Sequence, residues 1–266
     1  MIKYKKHGLR MAECWLDTDF AMPSDCDLIF LQQYSKVPPR AFSERFSTLI
    51  VNLTLSEGDL LGNLNEKTRY EVRRAGNKDL VECTHEPFAN EDVCTEFQQF
   101  YNKFAQSKGL GQLLTNQLLA RAKAGALQLS RAVYQGQTIV WHVHVITPTT
   151  VSLLYSASQF HILAQRDARA AIGRANRLLH WKDMLFFKSQ GKDFYDFGGW
   201  YSGLENEALL KINQFKEEFG GKRTDQLNAG VPISWRGWIY LMLREHLSAD
   251  RRKVMVEKVA SFVQRK

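Results

Sequence analysis

Proline and cysteine are both scarce in this sequence, with 6 and 4 residues among 266. The cysteines, Cys14, Cys26, Cys83 and Cys94, form no CxxC pair and do not combine with histidines at zinc-finger spacing. This distribution argues against a disulfide framework and against a zinc finger as the basis of the fold. We therefore expect a protein of the reducing cytoplasm, without disulfides and without structural zinc.

Long apolar runs are missing as well. The longest such run, Trp238–Leu243, is far shorter than the roughly 20 residues that a membrane-spanning helix needs. The N-terminal segment is basic but has no apolar core, so we expect no signal peptide. An apolar share of 44% is nevertheless enough for a sizeable core. Together these features favour a globular protein in the cytoplasm.

Positive charge is in excess. The chain has 36 Lys and Arg against 28 Asp and Glu, a formal net charge of +8. Such a balance favours acidic partners: phosphate-bearing molecules, nucleic acid or an anionic membrane surface. Charge alone does not choose among them.

The N-terminal third predicts strands and one helix. Two short strands are expected at Cys14–Phe20 and Asp27–Gln32. Phe46–Leu55 alternates apolar with polar residues and is rich in β-branched side chains, so it predicts a third strand. Glu57–Asn77 has apolar residues at helical spacing and basic residues on its other face, which predicts one continuous helix.

After residue 80 the order of the predicted elements becomes informative: strand, two helices, three strands, helix, strand, helix, strand. Their bounds are Leu80–His85, Asn90–Gly109, Thr115–Lys123, Leu127–Tyr134, Thr138–Ile146, Val151–Ser158, Asp167–Ser189, Phe194–Phe197, Asn206–Phe219 and Leu227–Ser234. Short turns join the three central strands into an antiparallel meander. We predict an α/β (α+β) protein with a mixed, mostly antiparallel sheet flanked by helices.

Two C-terminal segments carry a resemblance to a known family. Phe194–Trp200 has the sequence FYDFGGW, and Asn213–Gly221 has the sequence NQFKEEFGG. Together they resemble the DFGG…FKxxFGG pattern of the FemAB-like branch of the GCN5-related N-acetyltransferase (GNAT) superfamily. Lys67–Ala75, KTRYEVRRA, resembles the basic K-x-R-x-x-I-R-K-A segment of that branch. The predicted element order also resembles that of the GNAT fold.

The resemblance implies a domain organisation. Residues 79–235 are expected to form a GNAT acyltransferase domain, and residues 1–78 a truncated N-terminal GNAT-like half that contains the basic helix. Residues 236–266 are expected to form C-terminal amphipathic helices. FemAB-like members that use aminoacyl-tRNA are longer, with two complete GNAT domains. In size and pattern this chain is more similar to the nucleotide-sugar N-acyltransferases of the branch.

The function implied is N-acyl transfer from acyl-CoA to a dTDP- or UDP-linked 3-amino-3,6-dideoxyhexose, for lipopolysaccharide or capsule synthesis. We expect direct attack in a ternary complex, because no Cys or Ser lies in a recognisable nucleophile motif. The partners expected are these small molecules, without nucleic acid and with at most peripheral membrane contact.

Two other functions stay open. One is aminoacyl-tRNA-dependent transfer to a peptidoglycan precursor. The other is a GNAT-like module without catalysis that binds nucleic acid or a membrane surface through Trp235, Trp238, Tyr240 and the basic tail.

The acyl donor is expected at the fourth and fifth strands, which splay apart in GNAT folds. By order these strands are Val151–Ser158 and Phe194–Phe197. Backbone N–H groups of the first strand would bind the pantetheine arm and the thioester oxygen. The predicted cofactor-binding residues there are Ser156, Ala157 and Ser158.

The helix after the fourth strand has a start suited to a pyrophosphate, because its first N–H groups are free. The predicted cofactor-binding residues around this turn are Arg166, Arg169, Gly173 and Arg174. Their single glycine departs from the usual GNAT Q/R-x-x-G-x-G/A signature, which leaves room for a donor other than coenzyme A. The alternative is an ordinary solvated helix start.

Amine acylation needs a base, a polarised thioester and a proton for the leaving thiolate. His142 and His144 lie two apart on one predicted strand and so share a face; His142 is the first candidate for the base. Asp196 is a candidate to orient or deprotonate the amine, and Tyr155 to protonate the thiolate. Core packing, or a turn role for Asp196, is the alternative.

A metal is not expected, because the two histidines lack a third ligand at recognisable spacing.

The acceptor is expected to meet the loop after the fifth strand and the basic helix. The predicted substrate-binding residues are Lys67, Arg69, Arg73, Gly198, Gly199, Trp200, Tyr201 and Lys216. Basic side chains pair with phosphate, and aromatic rings stack on a base or sugar. A solvated helix face and a hydrophobic plug are the corresponding alternatives.

Overall fold

The computed structural model describes residues 1–19, 21–159 and 166–245. These residues form two compact units. Among the described residues, the first unit is built from residue 1, from residues within 3–45 and from residues 227–245, and the second from residue 2 and residues within 46–226. The units divide the chain at different points from the predicted boundaries after residues 78 and 235, because segments far apart in sequence pair as strands.

The described residues form ten strands and seven helices. The strands are β1 (Ile2–Lys6), β2 (Leu9–Trp15), β3 (Leu28–Tyr34), β4 (Phe42–Asn52), β5 (Glu82–His85), β6 (Leu127–Tyr134), β7 (Gln137–Ile146), β8 (Thr150–Ser158), β9 (Phe194–Gly199) and β10 (Lys222–Pro232). The helices are α1 (Glu57–Asn63), α2 (Glu66–Asn77), α3 (Glu91–Lys108), α4 (Thr115–Lys123), α5 (Arg166–Ser189), α6 (Glu207–Glu217) and α7 (235–245).

The first unit has the strand order β1-β2-β3-β10. β2 is parallel to β3, and the part of β10 after residue 226 is antiparallel to β3. Helix α7 packs on this unit through Leu241, which joins a buried cluster with Met11 and Leu28. Gly237 lies so close to the carbonyl of Asp27 that a side chain there would collide with it.

The second unit has the strand order β4-β9-β8-β7-β6-β5. Strands β6, β7 and β8 form the predicted antiparallel meander, whereas β8 and β9 are parallel. One buried cluster includes residues of α2 and α5, and a second includes residues of α3 and α4. The mixed, mostly antiparallel α+β architecture that the sequence predicts is confirmed.

Two elements of the N-terminal third differ from their predictions. The strand expected at Cys14–Phe20 is wrong: β2 ends at Trp15, because Leu16 and Asp17 have positive φ angles and turn the chain. The helix expected at Glu57–Asn77 is in fact α1 and α2. Leu64 has an extended backbone with a ψ of 144°, which ends α1.

Of the predicted tail helices, residues 235–245 are helical and residues 246–266 lie outside the described part. In the described residues no helix is long and apolar enough to cross a membrane.

The start of α2 gives a test of the local folding rules. The Asn65 side chain accepts a hydrogen bond from the Thr68 N–H at 2.7 Å. Asn65→Ala removes this cap, so we expect the free energy of unfolding to fall by about 1 kcal/mol, as measured by urea denaturation. Asn65→Asp keeps the acceptor and is the matched control. A loss of the same size in both variants would contradict the capping account.

Candidate functional site

The sheet of the second unit opens between β8 and β9. The two strands pair over three residues only, Thr150–Ser152 of β8 with Phe194–Asp196 of β9. β8 continues to Ser158, paired with β7 on its other side. Within the described residues, the edge of β8 that faces β9 therefore has no strand partner after Ser152. The early end of pairing matches the separation of the fourth and fifth strands that the family resemblance implies, and an acyl-donor site there stays a prediction.

Asp196 lies where the strands separate, and its carboxylate holds three elements together. It accepts hydrogen bonds from the Gly198 N–H at 2.6 Å, from the Ser152 hydroxyl at 3.2 Å and from the Thr48 hydroxyl. The side chain has no exposed surface. Thr48 comes from β4 and Ser152 from β8. Between Asp196 and Gly199 the pairing of β9 with β4 shifts register; this irregularity, called the β9 turn below, is fixed by the carboxylate against both neighbouring strands.

Gly198 closes the turn in a conformation that favours glycine, with φ at +70°. A Cβ atom at this position would lie 2.8 Å from the carbonyl oxygen of Leu153, on β8. The absence of a side chain thus allows the turn to approach β8 at the point where the opening begins.

The second C-terminal motif clamps the first. Lys216, on α6, is buried and donates hydrogen bonds to the carbonyl oxygens of Gly198, at 3.0 Å, and of Gly199. Asn213, one turn earlier, bonds to the backbone of Tyr201 through both its amide nitrogen and its amide oxygen. Burial lowers the pKa of Lys216 to about 8, while the charge of Asp196 acts in the opposite direction.

The basic helix α2 joins the same assembly through its ion pairs. Arg177 of α5 pairs with Glu71 at 3.0 Å and with Glu218 at 2.7 Å. Glu218 also accepts a hydrogen bond from the Thr68 hydroxyl. Arg69 donates to the carbonyl oxygens of Gly62 and Leu64, so it caps the end of α1. The three motifs that carry the family resemblance are therefore in direct contact.

The other residues predicted to bind the acceptor substrate differ in solvent exposure. Lys67 and Arg73 are exposed on α2, and Gly199 is exposed at the end of β9. Trp200 and Tyr201 are half-buried in the following loop, where the Trp200 N–H donates to the Ser47 carbonyl. Lys216 and Arg69 make the backbone contacts described above.

The residues predicted to bind the acyl donor fall into two groups. Ser156 and Ser158 are half-buried and Ala157 is buried, all on β8 beyond the split. Gly173 is half-buried within α5, and Arg169 is exposed near the start of this helix. Arg174 pairs with Asp79 at 2.5 Å. Arg166 is the first residue of α5, and the segment before it, 160–165, lies outside the described residues.

The third catalytic candidate, Tyr155, projects to the opposite face of the sheet from His142. It is half-buried against α3, with ring centroids 5.1 Å from Tyr101 and 6.0 Å from Phe97. Its position on β8 nevertheless lies on the stretch without a β9 partner.

The histidines belong to a buried polar cluster beneath the meander. Asp183 of α5 lies 2.7 Å from His142 Nδ1, 3.5 Å from His144 Nε2 and 2.9 Å from His85 Nε2. His142 and His144 share one face, as predicted, and both are fully buried. His180 and Tyr195 complete the cluster: the tyrosine hydroxyl lies 3.1 Å from both His180 Nδ1 and His144 Nε2.

Burial and charge act against each other in this cluster. Burial lowers the pKa of His144 to about 3 and that of His180 well below its usual range. Burial alone would raise the pKa of Asp183, but the nearby histidines outweigh it and lower that pKa. Burial also raises the pKa of Tyr195 well above its usual value. Asp183 is therefore favoured as an anion, while burial disfavours the charged forms of His144 and His180.

Several residues of the site are not among the sequence predictions. Thr48 and Ser152 give no sequence signal, because their roles depend on strands that pair across distant segments. A sequence signal does exist for three polar residues of α5, Asn176, His180 and Asp183. They are spaced i, i+4 and i+7, so they share a helix face with its buried apolar residues.

The first unit has a pocket of its own. Its volume is about 630 Å³, and its lining includes Phe30, Gln32, Asn228 and Arg244. None of the predicted site residues lines it.

The chain was compared with protein families, curated proteins and solved structures. No family model and no curated protein matches the chain. The chain is similar to the crystal structure of FemX, with a TM-score of 0.56 and 12% identity over 69% of this chain and 61% of FemX. It thus spans about three fifths of the length of FemX.

A second similar structure is the C-terminal domain of a protein named as a lysylphosphatidylglycerol synthetase, from Agrobacterium fabrum. The TM-score is 0.51 and the identity 13%, over 82% of this chain and 72% of that domain. At such identities the likeness concerns the fold. The chain has a fold similar to that of FemX, which agrees with the FemAB-like resemblance of its motifs.

Gly198 and Gly191 form a matched pair that tests the turn at the opening. Their φ angles are +70° and +72°, but a Cβ at Gly191 would meet nothing within 4 Å. Gly191→Ala should cost about 1 kcal/mol for the backbone conformation alone. Gly198→Ala adds the clash with Leu153, so its loss in urea denaturation should be at least about 1 kcal/mol larger. Equal losses would show that the close approach does not exist.

Proposed function

We propose that this protein transfers an acyl group to an amine, with the acyl donor in the opening between β8 and β9. The observation that carries this proposal is the early end of pairing between the two strands, at Ser152 and Asp196. An extended donor arm fits there as an additional strand would, hydrogen-bonded to the backbone of β8. The FemAB-like GNAT fold supports the same reading.

The reaction is direct attack on the donor carbonyl. The amine forms the new C–N bond and loses a proton, while the C–S or C–O bond of the donor breaks and the leaving group takes up a proton. Backbone N–H groups of β8 would stabilise the developing oxyanion. Burial raises the pKa of Cys83 to about 12 and that of Cys94 to about 11, so neither is a ready thiolate nucleophile.

Asp196 and Lys216 serve as positioning residues in this proposal. Both are buried and both bind the backbone of the β9 turn, which borders the opening. His142 is also fully buried, with Asp183 and Asn176 against its two ring nitrogens. Tyr155, on the part of β8 that β9 does not pair with, remains our candidate for the proton donor to the leaving group.

For the substrates we propose acyl-CoA and a nucleotide-linked 3-amino-3,6-dideoxyhexose, in the cytoplasm. The support is the resemblance of the DFGG and FKxxFGG motifs to the FemAB-like branch, whose nucleotide-sugar N-acyltransferases this chain resembles most in pattern. Exposed Lys67 and Arg73 on α2 offer charge for a phosphate group. A second donor, aminoacyl-tRNA, is favoured by the structural likeness to FemX and to the lysylphosphatidylglycerol synthetase domain.

A ligand panel distinguishes these donors. The protein is melted with coenzyme A, acyl-CoAs, dTDP, UDP and aminoacyl-tRNA, because a ligand that binds the native state raises the melting midpoint. We expect shifts with coenzyme A and with one of the nucleotides, followed by turnover of the matching amino sugar. A shift and turnover with aminoacyl-tRNA alone would show that the donor is aminoacyl-tRNA and not acyl-CoA. Binding of these ligands without turnover of any amine would contradict the proposal that the protein is an acyltransferase.

Once a substrate pair is found, Asp196→Asn tests the positioning role. Weakening the bonds to Thr48, Ser152 and Gly198 should lower kcat about tenfold or more, which corresponds to a loss of about 1.4 kcal/mol or more. The KM for the acceptor should change less than kcat. Asp92→Asn alters an exposed carboxylate of α3 and is the control. A folded Asp196→Asn variant with the wild-type kcat would refute the assignment.

A further inference from the structure

Three imidazole rings face a single buried carboxylate in the second unit. His142 Nδ1 lies 2.7 Å and His144 Nε2 3.5 Å from Asp183 Oδ2, while His85 Nε2 lies 2.9 Å from Asp183 Oδ1. The side chains of His142, His144 and Asp183 have no exposed surface. They come from β7 and α5, and His85 from β5, so the cluster joins three elements of the unit.

The hydrogen bond on the far side of His142 defines which nitrogen is free. His142 Nε2 lies 2.9 Å from Asn176 Oδ1, an acceptor, so Nε2 carries the proton. A neutral ring then presents a lone pair at Nδ1 to a carboxylate oxygen, which is also an acceptor. Two acceptors 2.7 Å apart need a cation between them, either a proton or a metal ion.

His144 is arranged in a similar way. Its Nε2 is directed to Asp183 and to the Tyr195 hydroxyl. Its Nδ1 is buried and makes no hydrogen bond of ordinary geometry, and the backbone of Gln128 acts on the ring. In metal sites, the ring nitrogen that does not bind the metal is commonly directed at a backbone carbonyl or a polar side chain, which orients the ligand.

We propose that His142 Nδ1, His144 Nε2 and Asp183 Oδ2 form a binding site for a divalent transition-metal ion, with Zn²⁺ as the best fit. The three atoms lie within 4.8 Å of one another. Nitrogen and carboxylate ligands suit Zn²⁺, and at bond lengths of about 2.1 Å tetrahedral ligand atoms lie about 3.4 Å apart. The 3.5 Å pair already matches, and the 2.7 Å pair must open by about 0.7 Å.

His85 is placed to supply a fourth ligand through a small rotation, because it already contacts the other oxygen of the same carboxylate. Such a metal ion would cross-link β5, β7 and α5 beneath the meander. Its role would be structural, because the ligands are buried and none contacts the opening between β8 and β9. The site is independent of the proposed acyl transfer.

The test uses the whole folded chain, stripped with a chelator and then incubated with Zn²⁺ or Co²⁺. We expect one ion per chain by mass spectrometry after gel filtration, a higher melting midpoint with Zn²⁺, and the visible absorption of tetrahedral Co²⁺. His144→Gln and Asp183→Asn should abolish uptake. His7→Gln, which alters an exposed histidine of the first unit, should leave it unchanged.

Nitrogen NMR of the histidine rings in the wild-type chain gives an answer even where the ligand variants fail to fold. Zn²⁺ should shift Nδ1 of one buried ring and Nε2 of another. Folded wild-type protein that takes up no ion would overturn the proposal, and so would uptake that leaves these ring nitrogens unshifted. Undiminished uptake by folded His144→Gln would do the same.

Discussion

The buried carboxylate of Asp196 is the interaction on which the opening of the sheet depends. It is bonded to β4 through Thr48, to β8 through Ser152 and to its own turn through the Gly198 N–H. A buried carboxylate is costly unless each oxygen is satisfied, so this point of the sheet is tightly specified. Beyond it, in the part of the chain that the structure describes, the edge of β8 that faces β9 has no strand partner.

The family motifs acquire a physical explanation from this arrangement. Lys216 of the second motif holds the carbonyl groups of the first, and Glu218 ties both to α2 and α5. The basic side chains of α2 are therefore only partly available to a ligand, because Arg69 caps α1 while Lys67 and Arg73 stay exposed. The motif residues form the frame of the opening between β8 and β9. A ligand in that opening would contact the groups that this frame leaves accessible.

The sequence predicted the meander well, because its alternating β-branched residues and short turns act locally. It predicted a shared face for His142 and His144 for the same reason. The division of α1 from α2 was missed, since the stop at Leu64 and the cap at Asn65 interrupt an otherwise helical pattern. Asp183 was missed because its partners are brought to it by the packing of α5 on the sheet, 41 residues away in sequence from His142.

Hydrogen–deuterium exchange tests most directly whether the donor lies between β8 and β9. Exchange would be followed with an unreactive acyl-CoA analogue and, separately, with a non-hydrolysable aminoacyl-tRNA analogue. We predict that one of them slows exchange at backbone amides of residues 153–158. Binding that protects other segments and leaves 153–158 unchanged would contradict it, whichever donor produced the binding.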